Sequence, residues 1–168
     1  MKNIAILVED LYQDLEVWYP FLRLKEEGFN VSTVGTGRAK IYKSKHGYEI
    51  SENMSVKDAK NKDFDAVVIP GGYAPDILRR DADINDFVKD NFKKGKVIAS
   101  ICHGGWVLAS AGILKGKTAT SFFAIKDDVV NAGANFVDNE VVVDGNLITS
   151  RKPEDLPAFL KAIIKALK

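Results

Sequence analysis

Residues 97–106 read VIASICHGGW and contain the only cysteine of the chain. Val97 to Ile101 form a continuous run of apolar and small residues, the pattern of a strand covered on both faces in a parallel sheet. The run leads straight into Cys102, and Gly104 and Gly105 follow. A nucleophile at a sharp strand-to-helix turn, with small neighbours that avoid clashes, is the layout of a nucleophile elbow. The helix expected next (GWVLASAG) would aim its N–H groups and positive dipole end at the thiol and favour thiolate. The competing reading is a buried cysteine that acts as a small inert hydrophobe.

Strand-like runs recur on either side of this stretch, at Ile4 to Val8, Val31 to Val34, Ala66 to Ile69, Val141 to Val143 and Leu147 to Thr149. Helical patterns lie between them. Leu15, Trp18, Tyr19 and Leu22 have the spacing of one helical face, with Asp14 as the cap, Gly28 as the stop and Pro20 expected to kink or shift it. A second helix reads from Asp83 to Lys94, with Ile84, Phe87 and Val88 inward. A last one starts near Pro153 and buries Leu156, Phe159, Leu160, Ile163, Ile164 and Leu167. IYKSKHGYEI (41–50) reads as a hairpin turning at His46-Gly47. The alternation predicts an α/β three-layer sandwich with a mostly parallel sheet, in one domain over residues 1–168.

The totals narrow the function. The 168 residues carry 24 Lys and Arg against 23 Asp and Glu, a net charge of +1. The charges are interleaved, which argues against nucleic acid or a membrane surface as partner. One cysteine excludes an internal disulfide framework and, with only two histidines, argues against a structural zinc site. No run approaches the roughly 20 apolar residues of a membrane-spanning helix, and the N-terminus has no signal-peptide pattern. A cytoplasmic location is the expectation. No phosphate loop or dinucleotide fingerprint is present, so no cofactor is implied.

Ligands of open parallel sheets bind at the carboxyl ends of the strands. Three features fall there: EDLYQDLE (9–16), PGGYAPD (70–76) and CHGGW (102–106). In the second, Gly72 could offer a backbone N–H to an oxyanion, although Pro-Gly-Gly is also a plain turn signal. In the first, Glu16 sits among apolar residues and is expected to have a raised pKa; Glu9, Asp10 and Asp14 compete for its role. His103 could serve Cys102 as a base or supply a backbone N–H. Consecutive side chains at a helix start, however, are expected to point in different directions. His46 reads as structural.

The segments LYQDLEVWYP, FDAVVIPGGYAPD, ASICHGG, LASAGILKGK, EVVVDGNLITSR and DLPAFLKAIIKAL, with others between them in the same order, resemble the ThiJ/PfpI family of cysteine hydrolases, over the whole chain. The resemblance implies a flavodoxin-like sandwich of the class I glutamine amidotransferase type. It implies contact between Glu16 and Cys102, and an oxyanion hole from the amides of Gly72 and His103. It also implies an acid at Asp76, supplied by a neighbouring subunit, that completes His103. Gly71, Trp106 and Phe122 are expected to line the substrate pocket. The chain departs from the family pattern at Asp76 (shorter than the glutamate of some relatives), Gln13 (usually an acid), Trp106 (HGGW for HGPQ) and Phe122 (tyrosine in some).

Three functions follow from the resemblance. The first is a glutathione-independent glyoxalase or deglycase acting on small aldehydes or their protein adducts. The second is an intracellular cysteine peptidase acting on peptides. The third is an oxidative-stress sensor or chaperone that uses Cys102 oxidation. A homo-oligomer, a dimer or a hexamer built of dimers, is implied for each.

Overall fold

The computed structural model describes residues 1–168. In chain order the elements are β1 (Asn3–Leu7), α1 (Asp14–Glu26), β2 (Asn30–Gly35), β3 (Ile41–Lys43), β4 (Glu49–Ser51), β5 (Met54–Ser55), α2 (Val56–Ala59) and β6 (Ala66–Ile69). There follow α3 (Ala74–Leu78), α4 (Ala82–Lys93), β7 (Val97–Ile101), α5 (Gly105–Ala111), β8 (Thr118–Ala119), α6 (Lys126–Asn131), β9 (Asn135–Phe136), β10 (Val141–Asp144), β11 (Leu147–Ser150) and α7 (Leu156–Leu167).

Seven strands form one sheet in the order β10-β11-β7-β6-β1-β2-β5. Every pairing is parallel except β10 with β11. Each residue of β6 and β7 is buried, which explains their continuous apolar runs: helices cover both faces. Helices α1 and α7 pack on each other on one side, and α2, α4 and α5 pack together on the other. This is the flavodoxin-like three-layer sandwich. The chain moves from β1 outward to β2 and β5, then returns to place β6 on the other side of β1. The strand order therefore reverses between β1 and β6, and a crevice opens at their carboxyl ends.

The amphipathic patterns of α4 and α7 are realised: Ile84, Phe87 and Val88 are buried, as are all six apolar residues assigned to α7. The hairpin is β3 with β4, antiparallel, with Gly47 at φ 85° in its turn. Pro153 opens a 3-10 turn, and α7 proper begins at Leu156.

Helix α1 differs from its pattern. Its buried residues are Glu16, Val17, Pro20 and Leu24, while Leu15 is 55% and Leu22 59% exposed. The apolar spacing pointed to the wrong face because a carboxyl and a proline occupy the buried one. The helix runs through Pro20, and its cap is Gln13 rather than Asp14: the Gln13 side chain accepts from the Leu15 and Glu16 amides. Asp14 instead accepts from the Ser44 hydroxyl and pairs with His46 Nδ1 at 2.8 Å, the structural role expected of His46.

Candidate active site

Cys102 stands between β7 and a single 3-10 turn (Cys102–Gly104) that precedes α5. Its φ is +60°, a left-handed conformation that costs an L-residue roughly 1–2 kcal/mol and is held only where the surroundings impose it. The glycines explain how the turn fits. A Cβ on Gly104 would lie 2.6 Å from Ser100 Oγ and 2.8 Å from the Ile69 carbonyl oxygen. The only other non-glycine residue with positive φ is Leu11, which lines the same cavity. Both strained positions therefore face one crevice.

Gly71 and Gly72 sit at the end of β6. The Gly71 N–H donates to Glu16 Oε2 at 2.7 Å. A Cβ at Gly71 would come within 2.5 Å of that oxygen, 2.6 Å of Cys102 Cβ and 3.0 Å of its sulfur. Only a glycine lets the carboxyl and the thiol approach from its two sides. Gly72, at φ 77°, forms a bridge with Tyr12, which ties the segment after β1 to the one after β6. The backbone N–H groups of Gly72 and His103 act on the sulfur and favour its thiolate form.

The electrostatics of this group are coupled. Glu16 is fully buried, and burial pushes its carboxyl up to about 7, against the N–H of Gly71 and the thiol. Its Oε1 has no hydrogen-bond partner. Burial and then the Glu16 charge push the Cys102 thiol up to about 12, opposed by the two amides. The helix dipole alone therefore does not produce a thiolate. Below about pH 7 each group holds its own proton; above it the pair keeps one, and a thiolate forms when that proton sits on Glu16.

His103 Nδ1 lies 3.2 Å from the Cys102 sulfur. Adjacent side chains were expected to diverge; the left-handed backbone at Cys102 turns its side chain toward its neighbour. The His103 ring stacks on Phe122 at 5.0 Å and meets Trp106 edge-on at 5.1 Å. Burial lowers its pKa, as does the charge of Lys45, so the ring is neutral at pH 7. Trp106 is fixed by a 3.0 Å hydrogen bond from Nε1 to Asp128. Asp76 pairs with Arg80 and does not line the cavity. Glu9, the other fully buried carboxyl after β1, is taken up by Arg38, Thr36 and the Asp10 amide.

These groups enclose a cavity of about 470 Å³ that contains Glu16, Gly72, Cys102, His103, Trp106 and Phe122. Gln13, Leu11, Lys45, Tyr73 and Pro153 complete it. Gly71 underlies it through its contacts with Glu16 and Cys102 rather than lining it. Sequence reasoning missed Leu11, Lys45, Tyr73 and Pro153. Lys45 in particular belongs to the distant β3–β4 hairpin, and no local motif marks it as a cavity residue.

A model of the DJ-1/PfpI family matches residues 2–166. The chain belongs to the DJ-1/PfpI family. Among curated relatives it is 44% identical over 166 residues to a protein named deglycase from Pyrococcus abyssi, covering 99% of both chains. It is 41% identical over 166 residues to deglycase PfpI of Pyrococcus furiosus, again over 99% of both. It is 40% identical over 167 residues, 99% of both chains, to YraA of Bacillus subtilis, whose name gives it as a candidate cysteine protease. Among solved structures of the family, a two-domain protein from Anabaena variabilis with DJ-1/ThiJ/PfpI-like and ferritin-like domains superposes with a TM-score of 0.97 at 44% identity. That match covers 99% of this chain and 48% of the Anabaena chain. DJ-1beta of Drosophila melanogaster gives a TM-score of 0.89 at 29% identity, over 96% of this chain and 88% of that one.

Proposed function

We propose that this DJ-1/PfpI protein is a cysteine-dependent hydrolase of small reactive aldehydes, and of the adducts they form on proteins, that works without glutathione. The observation that carries this reading is the convergence on one sulfur of a buried carboxyl that holds its proton to about pH 7 and two backbone N–H groups. The name deglycase on relatives of matching length supports it.

In the reactive form the proton rests on Glu16 and the sulfur is thiolate. Sγ adds to the aldehyde carbon of methylglyoxal, and the carbonyl pair moves to oxygen, where the Gly72 and His103 amides hold it. Glu16 gives its proton to that oxygen, which completes a hemithioacetal. The Glu16 carboxylate then takes the proton from the carbon bonded to sulfur and delivers it to the neighbouring carbonyl carbon, through an enediol, to give a lactoyl thioester. Water cleaves the thioester, lactate leaves, and a proton returns to the pair.

A peptidase is the second reading, favoured by the contact between His103 Nδ1 and the sulfur. Expulsion of an amine needs a proton donor held in place. Within this chain no acid orients His103, so the reading requires Asp76 of a second copy. A homo-oligomer, as a dimer or a hexamer built of dimers, is part of the proposal. The exposed Leu15, Leu22 and Tyr48 supply apolar surface for it. The chain is read as one domain acting in the cytoplasm; no helix is long and apolar enough to cross a membrane.

The test is lactate formed from methylglyoxal without glutathione, beside a fluorogenic peptide, for wild type, Cys102→Ala and Glu16→Gln. Lactate that disappears in both variants is the expected result. Peptide cleavage without lactate would replace the aldehyde reading with the peptidase. Wild type indistinguishable from Cys102→Ala in both assays, with the thiol verified as reduced, would remove both.

A further inference from the structure

A second cavity, of about 330 Å³, adjoins the catalytic one. Phe122 lines both, and the neighbours Lys152 and Pro153 line one each. The shared wall is thus a single ring, the one stacked on His103. The second cavity combines the aromatic rings of Phe122, Phe123 and Phe136 with Lys126, Arg151 and Lys152, against one carboxylate, Asp138. Phe123 is 80% exposed.

The cations are not equivalent. Arg151 is committed: its Nε and Nη2 donate to Asp155 at 2.9 and 3.1 Å, and its Nη1 donates to Asp138 at 2.9 Å. It braces the wall. Lys126 has no carboxylate partner and lies over the Phe136 ring at 5.5 Å, and Lys152 is in no ion pair among those of this segment. Two unpaired ammonium groups beside exposed aromatic rings suit a ligand that is apolar in the middle and anionic at its end.

We propose that this cavity is a substrate subsite that takes the part of the substrate remote from the reacting carbonyl, with an apolar or aromatic group on Phe122, Phe123 and Phe136 and a carboxylate on Lys126 and Lys152. The substrate class that fits is an aldehyde adduct or acyl group attached to an amino acid or peptide with a free carboxylate. Methylglyoxal alone has neither an aromatic group nor a carboxylate to offer this cavity. The inference rests on the reading of Cys102 as the nucleophile and specifies what that nucleophile receives.

The experiment uses two affinity labels, bromoacetyl-phenylalanine and its uncharged phenylalaninamide analogue, in which the sulfur displaces bromide. Labelling is followed by mass spectrometry on the full-length protein. Wild type is expected to react with the carboxylate label about fivefold faster, roughly what two partly exposed ion pairs supply. Lys126→Ala/Lys152→Ala should bring the ratio close to one and leave lactate formation from methylglyoxal unchanged. A ratio that is the same in wild type and double variant overturns the subsite while the nucleophile stands. Labelling of neither kind would overturn the nucleophile reading and the subsite with it. Sedimentation of Phe123→Ser tests the other occupant of this face: dissociation of an oligomer, with an unchanged labelling ratio, would assign the cavity to a second copy of the chain and overturn the proposal.

Discussion

Replacement of Glu16 by glutamine should stabilise the protein at alkaline pH while removing its chemistry. In the folded chain the carboxyl keeps its proton to about 7, against 4.5 for an ordinary glutamate. Below 4.5 folded and unfolded chains both hold the proton, and the buried acid carries no ionisation cost. Between 4.5 and about 7 the folded state binds more protons, so wild-type stability falls as pH rises. Above that range the loss is complete. At about 1.4 kcal/mol per pH unit it amounts to about 3 kcal/mol. Glutamine has no such titration. Its carbonyl can accept the Gly71 N–H that Glu16 Oε2 accepts now, and its amide replaces the Oε1 that has no partner.

Urea unfolding measured from pH 4.5 to 8.5 should therefore give a falling wild-type curve and a flatter variant curve, with the difference opening to about 3 kcal/mol by pH 8. For a chain of this size that is roughly 6–12 °C in thermal midpoint. The Cys102 thiol titrates well above this window and does not confuse the result. Parallel curves separated by a constant amount would refute the reasoning, because they would mean that Glu16 ionises as an ordinary surface acid.

Other outcomes follow from the same geometry. The carboxylic acid carbonyl band of Glu16, seen by infrared difference spectroscopy, should vanish as pH rises through about 7 and be absent from Glu16→Gln; a band lost near 4.5 would contradict the burial argument. Gly72→Ala places a Cβ 2.5 Å from both the Gln13 nitrogen and the Leu11 carbonyl oxygen at a φ of 77°. It should cost about 2 kcal/mol or more in urea unfolding, and a neutral result would mean that the crevice backbone is slack. His103→Ala removes a side chain but keeps its amide. Lactate formation should then fall less than about a hundredfold, the low end of general acid–base effects, whereas complete loss would favour His103 as the essential proton carrier.

How much of this was legible in the sequence can be judged residue by residue. The runs at β6 and β7 were readable to the residue because strands buried on both faces permit few polar side chains. The turn at Cys102 was readable because a crowded backbone tolerates only glycine beside it. Helix α1 was misread because periodicity weighs hydrophobicity alone. Glu16 and Pro20 sit on its buried face, and Leu15 and Leu22 are left outside. A functional carboxyl in a core position breaks the pattern that would have located it.

The sequence by itself determined the layered fold and the residue types gathered at the carboxyl ends of its strands, since these follow from local patterning and turn chemistry; the strand order came from the structure. Local patterning left Glu9, Asp10 and Asp14 competing with Glu16, which the family resemblance favoured; only the tertiary structure decided that His103 turns toward the sulfur and that Lys45 closes the cavity. Those outcomes depend on distances between segments far apart in the chain, and on how burial divides one proton between Glu16 and Cys102. Neither is encoded in spacing along the sequence.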